Sequence, residues 1–113
     1  MHEMSIAENI KEIITETLAD LEAPKLKSVT VQVGELTAVI PDSLRFCFEI
    51  AIEETPFKGA KLKIVEQPIM GECTQCAEKF KILNFTFLCP NCQSSQVKVT
   101  GGQELSVTEL EVE

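Results

Sequence analysis

Five cysteines occur in the chain, and four of them stand as two matched pairs. "CTQC" holds Cys73 and Cys76, and "CPNC" follows twelve residues later with Cys89 and Cys92. Two thiolates at this spacing can turn both sulfurs toward one ion, and two such knuckles complete a tetrahedron of soft ligands. A lone pair could be redox-active, but two pairs at zinc-ribbon separation in a reducing compartment point to a structural metal site rather than to disulfides. Four sulfurs leave no open coordination position, so hydrolytic metal chemistry is not expected there.

Zinc is favoured over iron as the occupant. "CPNC" resembles the second knuckle of rubredoxin, yet rubredoxin-like sites carry glycine after each knuckle, and here Ala77 and Gln93 stand in those places. The intervening "AEKFKILNFTFL" alternates enough for short strands, and apart from Phe80, Phe85 and Phe87 the segment has little with which to form a core. Metal binding would then supply much of its folding free energy.

A second set of donors lies at the amino terminus. His2 is the chain's one histidine, next to Met1 and Glu3. The Met1 amine, the His2 imidazole and the backbone amides of His2 and Glu3 can close small planar chelate rings. Such a nitrogen set favours Ni(II) or Cu(II) over zinc. Loss of amide and ammonium protons makes its affinity rise with pH.

The elements that position these donors are legible from periodicity. Residues 5–22 read as a helix opened by a Ser5–Glu8 capping box, with Ile6, Ile10, Ile13, Ile14, Leu18 and Leu21 as an apolar stripe and Pro24 as a stop. "SVTVQV" alternates strictly, placing Val29, Val31 and Val33 on one face of a strand that Gly34 ends. "PDSLRFCFEIAIEE" reads as a second helix with Asp42 as N-cap, and Leu44, Cys47, Phe48, Ala51 and Ile52 as its buried stripe. On that stripe Cys47 is a small buried hydrophobe. "AKLKIVEQP" is a strand with Leu62 and Ile64 on one face. The closing "QELSVTELEVE" is strand-like but slips parity between Val107 and Leu110, which a bulge near Thr108 would reconcile.

The resulting fold class is α+β: a small three-stranded sheet with two helices on one face, plus an inserted zinc-ribbon-like lobe. Residues 1–67 and 101–113 form one domain and residues 68–100 the insertion.

Composition excludes several functions. At 113 residues there is room for one modest core. A formal charge of −8 repels a phosphate backbone, and the absence of Trp and Tyr removes a stacking platform. No stretch approaches the length of a membrane span and no secretory signal is evident, so a cytoplasmic location is expected. With one histidine, and that at a terminus, there is no acid–base pair or nucleophile constellation, so an enzyme is not expected.

Taken together, "MHEMSIAE" leading into a helix, "VQVGELTAVIPDSLRFCFE" and C-x2-C-x12-C-P-x-C resemble the HypA/HybF family of nickel metallochaperones across essentially the whole chain. The resemblance implies a small α/β nickel domain with an inserted zinc domain. It implies Ni(II) as transient cargo at Met1, His2 and Glu3, with the Glu3 carboxylate tuning the site rather than ligating. Cys73, Cys76, Cys89 and Cys92 carry over as ligands of structural Zn(II). The implied partners are a HypB-type GTPase and the [NiFe]-hydrogenase large subunit, and in some bacteria the family also serves urease maturation. Some relatives place histidines beside the zinc knuckles, and this chain has none there. A pH-dependent exchange of zinc ligands is therefore not expected here. The competing function is a zinc-ribbon adaptor or nucleic-acid-binding protein with no nickel role, against which the acidic balance counts.

Overall fold

The computed structural model describes residues 3–22 and 25–113. Met1, His2, Ala23 and Pro24 lie outside the described residues, and with them the expected stop at Pro24. In chain order the elements are α1 (Glu3–Thr17), β1 (Leu26–Gly34), a 3-10 turn (Glu35–Thr37), α2 (Pro41–Ile52), β2 (Lys61–Gln67), β3 (Met70–Cys73), β4 (Lys79–Lys81), β5 (Val97–Gly101) and β6 (Leu105–Val112).

Two sheets result. The first has the order β2-β1-β6, with β1 parallel to β2 and antiparallel to β6. A parallel pair needs a crossover, and α2 supplies it between β1 and β2. The second has the order β4-β3-β5, all antiparallel, and its chain is interposed between β2 and β6.

Both helices share one core with the first sheet. Ile6, Ala7, Ile10 and Ile14 of α1 meet Leu44, Phe48 and Ile52 of α2 over Val29, Val31 and Val33 of β1, all of them buried. Strict alternation in β1 puts its valines on the helix side, as expected. Cys47 is half-buried and packs against the same core.

The bulge expected near Thr108 is present. Thr30 pairs with Glu109 and Val31 with Val107, leaving Thr108 unpaired. Its hydroxyl instead donates to the Thr30 carbonyl at 3.3 Å. The extra residue restores parity, so Val107 and Leu110 both pack on the core.

Several local expectations fail. The first helix starts at Glu3, so Ser5 lies inside it and caps nothing. Burial of Ile6 and Ala7 against α2 holds that first turn, and Glu8 pairs with Lys11 at 2.8 Å instead of reaching back. The helix ends at Thr17, and Ile13 and Leu21 are exposed, because the contact with α2 and the sheet is narrower than the apolar stripe. In α2 the N-cap is Ile40, without a side-chain bond, because Pro41 takes the first helical position with its φ already set. Asp42 pairs with Arg45 at 2.8 Å. Between the knuckles only β4 forms a strand. Asn84 and Phe85 have φ of 53° and 56° and turn the chain, leaving Phe85 and Phe87 exposed. Buried Ile69 and Ile82, with Cys73 and Cys89, make the small core there.

Where the sheets join, backbones touch. The Gly34 amide donates to the Glu104 carbonyl at 2.7 Å, and the Leu36 amide to the Gly102 carbonyl at 2.8 Å. A Cβ on Gly34 would stand 2.0 Å from the Gly102 carbonyl oxygen, and one on Gly102 (φ 104°) would stand 2.8 Å from Ile69 Cα. The two sheets keep separate cores on either side of this junction. The molecule accordingly measures 56 × 25 × 17 Å, with a radius of gyration of 17.6 Å, against about 13 Å for a compact chain of this length.

Gly34→Ala must displace the backbone at residues 102–103. A loss of about 3 kcal/mol in unfolding free energy by urea denaturation is expected, toward the upper end for overpacking. A loss no larger than that of an ordinary surface substitution would show that the junction is not tight.

Candidate metal centre

Cys73 ends β3, and Cys89 opens the second knuckle beyond β4. The two knuckles fold alike. In the first, Cys73 N–H donates to the Glu78 carbonyl at 2.9 Å, and Ala77 N–H donates to the Cys73 carbonyl at 2.9 Å. In the second, Cys89 N–H donates to Ser94 at 3.0 Å and Gln93 N–H to Cys89 at 2.8 Å. Ala77 and Gln93 close these turns with φ of 63° and 60°, the left-handed region that favours glycine. The two positions noted in the sequence as lacking glycine are therefore the two that the turn geometry strains.

The knuckles bring all four expected sulfurs together, within 4.8 Å of one another. Cys73 and Cys92 Sγ are 3.5 Å apart, as are Cys76 and Cys89 Sγ. A metal–sulfur distance near 2.3 Å gives a tetrahedral edge of about 3.8 Å, so the donor set fits one four-coordinate ion. Each knuckle contributes one buried sulfur, from Cys73 or Cys89, and one exposed, from Cys76 or Cys92.

Amide donors surround the sulfurs. Gln75 N–H points to Cys73 Sγ at 3.3 Å, and the Asn91 and Cys92 N–H groups to Cys89 Sγ at 3.4 Å. The Asn91 side-chain amide lies 3.5 Å from Cys76 Sγ. That amide, aided by the backbone at Glu78, pulls the Cys76 thiol down to about 6. At Cys92 the Ser94 backbone bond also favours thiolate. It is outweighed by hydrogen bonding to Cys73, by desolvation and by the other two sulfurs, and the thiol is pushed up to about 12. Both shifts reflect how closely the sulfurs and amides crowd together, a crowding that a cation placed among the sulfurs would offset. The cysteine spacing does not single out Asn91. Its polar side chain inside a knuckle was the one available signal of this role.

The expected nickel residues divide. Met1 and His2 lie outside the described residues. Glu3 is the first residue of α1, and its carboxylate accepts a hydrogen bond from Ile40 N–H at 3.3 Å, just ahead of α2. Among the described residues, the four-cysteine group is the one cluster able to hold a metal.

A family model described as hydrogenase/urease nickel incorporation, metallochaperone, HypA matches residues 1–112. The chain belongs to the HypA family. It is 46% identical to the hydrogenase maturation factor HypA of Desulfatibacillum aliphaticivorans, over 99% of this chain and 87% of the relative. With the factor of the same name from Dechloromonas aromatica it is 39% identical over the whole of both chains. The solution structure of the Ni metallochaperone HypA from Helicobacter pylori superposes with a TM-score of 0.70. That structure is 31% identical, and the match covers 99% of this chain and 97% of that one. A second HypA solution structure gives a TM-score of 0.73, at 31% identity, with 99% and 96% coverage. In this HypA chain the tetrathiolate geometry and the two strained turn closures belong to the same inserted segment.

Gln93→Gly relieves a left-handed non-glycine residue. The cysteine segment should gain about 1 kcal/mol, read as greater resistance to a chelator-plus-denaturant titration. Unchanged or lower resistance would show that the Gln93 side chain is itself needed.

Proposed function

We propose that the chain binds Ni(II) through Met1, His2 and Glu3 and delivers it during maturation of [NiFe]-hydrogenase. The observation that carries this reading is the family match from residue 1 to residue 112, which includes the amino-terminal donor set. The solved relative from Helicobacter pylori is described as a Ni metallochaperone. The chemistry agrees: planar nitrogen donors select Ni(II) over zinc, and transfer of an ion breaks no covalent bond, so no catalytic residue is required. Glu3 is held by helix α1 and by Ile40, so the last member of the donor set stands on the folded scaffold.

In this reading residues 1–67 and 101–113 form the nickel-binding domain and residues 68–100 the zinc-binding one. Cys73, Cys76, Cys89 and Cys92 would hold Zn(II), whose contribution is to hold the lobe folded. A thiolate-only set with no open position suits that role and not hydrolysis. The partners are a HypB-type GTPase and the hydrogenase large subunit, with urease maturation as a second destination, and the work is done in the cytoplasm. No helix among the described residues is long and apolar enough to cross a membrane. A zinc-ribbon adaptor without a nickel role is not favoured, because it leaves the match at residues 1–3 without purpose.

Calorimetric titration of the untagged protein should show one Ni(II) per chain, and His2→Ala should abolish it while zinc content and circular dichroism stay unchanged. An unaltered nickel isotherm in that variant would overturn the assignment.

Because no histidine stands beside the knuckles in the sequence, sulfur-edge or zinc-edge absorption should report four sulfur ligands at neutral and at mildly acidic pH alike. Loss of a sulfur ligand on mild acidification would show a ligand switch of another kind.

A further inference from the structure

Two hollows meet at one corner of the first sheet. One, of about 740 Å³, lies between α2 and the start of β2 and is floored by Phe46, Ile50 and Leu62. The other, of about 580 Å³, is lined by Lys25, Lys27, Lys58, Lys61 and Lys63. The turn Lys58–Lys61 belongs to both. Five of the chain's ten basic residues thus converge on one spot of a molecule whose formal charge is −8.

Part of that charge is already answered. Glu113 lies 3.5 Å from Lys25, and Glu111 lies 3.4 Å from Lys27 and 3.8 Å from Lys63. Ser28, Lys27 and Lys63 together hold the Glu111 carboxyl below the usual range. Lys58 and Lys61 are exposed, and among the described residues neither has a carboxylate partner. Beside them Phe46 is 64% exposed and Ile50 46%. These two stand four residues apart on α2, on one face of the helix.

We propose that this corner is a docking site for an acidic segment of a protein partner that also carries apolar side chains. Carboxylates of the segment pair with Lys58 and Lys61, and an apolar side chain enters the neighbouring hollow against Phe46 and Ile50. Charge complementarity selects the occupant. A second copy of this chain or a nucleic acid brings a large excess of negative charge, and Glu49 and Glu53 on the apolar hollow's rim repel a continuous polyanion. A short segment with spaced carboxylates avoids that rim.

The corner lies at the start of β1 and β2, whereas Glu3 meets Ile40 beyond the other end of β1. Nine residues of strand separate them by about 27 Å. On the nickel reading proposed above, a partner anchored here leaves the donor set uncovered for handover. The docking itself requires no nickel.

The test is amide shift mapping on the isotopically labelled, full-length, metal-loaded protein. The probe is a short synthetic peptide of alternating glutamate and leucine. A glutamine-for-glutamate copy, inorganic triphosphate and a DNA oligonucleotide are run beside it. Shifts are expected at residues 25–28, 46–50 and 58–63, with affinity falling about tenfold in the double variant Lys58→Glu/Lys61→Glu and on raising salt. Phe46→Ala, which removes an exposed ring, should weaken binding about threefold. Both variants should keep the wild-type nickel isotherm, so a failure of docking and a failure of the nickel assignment read out separately. Four results would overturn the proposal. They are equal binding of the glutamine peptide, shifts confined to the cysteine segment, an undiminished affinity in the double lysine variant, or shifts caused by triphosphate or DNA but not by the peptide.

Discussion

Four sulfurs within 4.8 Å of one another cannot all carry charge unless a cation sits among them. That constraint governs the cysteine segment. Its two knuckles each spend a left-handed non-glycine residue to turn a sulfur inward, and its remaining buried apolar residues are few. Burying a branched aliphatic side chain contributes about 1.5–3 kcal/mol. Ile69 and Ile82 alone therefore supply little against the entropy of ordering some thirty residues at roughly 1–2 kcal/mol each. A cation bound by the four sulfurs would make up the difference, and their approach to within 4.8 Å of one another gives it a place.

The helix-bearing half obeys a different rule. Its core is continuous from Ile6 to Leu62 and needs no ion. The two halves meet through backbone rather than side chains, where Gly34 and Gly102 permit an approach that no Cβ would allow. Such a junction fixes where the inserted segment leaves and re-enters without merging the cores. A metal bound by the sulfurs could then hold the inserted segment folded without bearing on the helix-bearing core.

Completion of the first sheet waits for the far end of the chain. β1 lies between β2, reached through α2, and β6, which arrives only after the whole cysteine segment. The bulge at Thr108 allows that last strand to present Val107 and Leu110 to a core already built by the helices. The start of the same sheet gathers five of the chain's ten basic residues. The molecule therefore carries charge of opposite sign at separated places, which orients an approaching partner before contact.

Periodicity and spacing by themselves determined the two helices, the strands β1, β2 and β6 and their order around an insertion, the helix-facing valines of β1, the four-sulfur group and even the bulge. Each of these depends on a local pattern of two, of 3.6 or of a fixed number of residues, and such patterns are written in the chain. Only the tertiary structure decided the ends of the helices. Ile6 and Ala7 are buried in the core shared with α2, which carries α1 forward past Ser5. It alone decided that Ile69 and Ile82, not Phe85 and Phe87, form the small core, because two left-handed residues turn the phenylalanines out. It alone showed Asn91 bonded to a sulfur, Glu3 bonded to Ile40, and Gly34 against Gly102. These are contacts between residues distant in sequence, or turns of the backbone that aim side chains outward. No single stretch encodes them, since their free energy exists only once both partners have been brought to the same place.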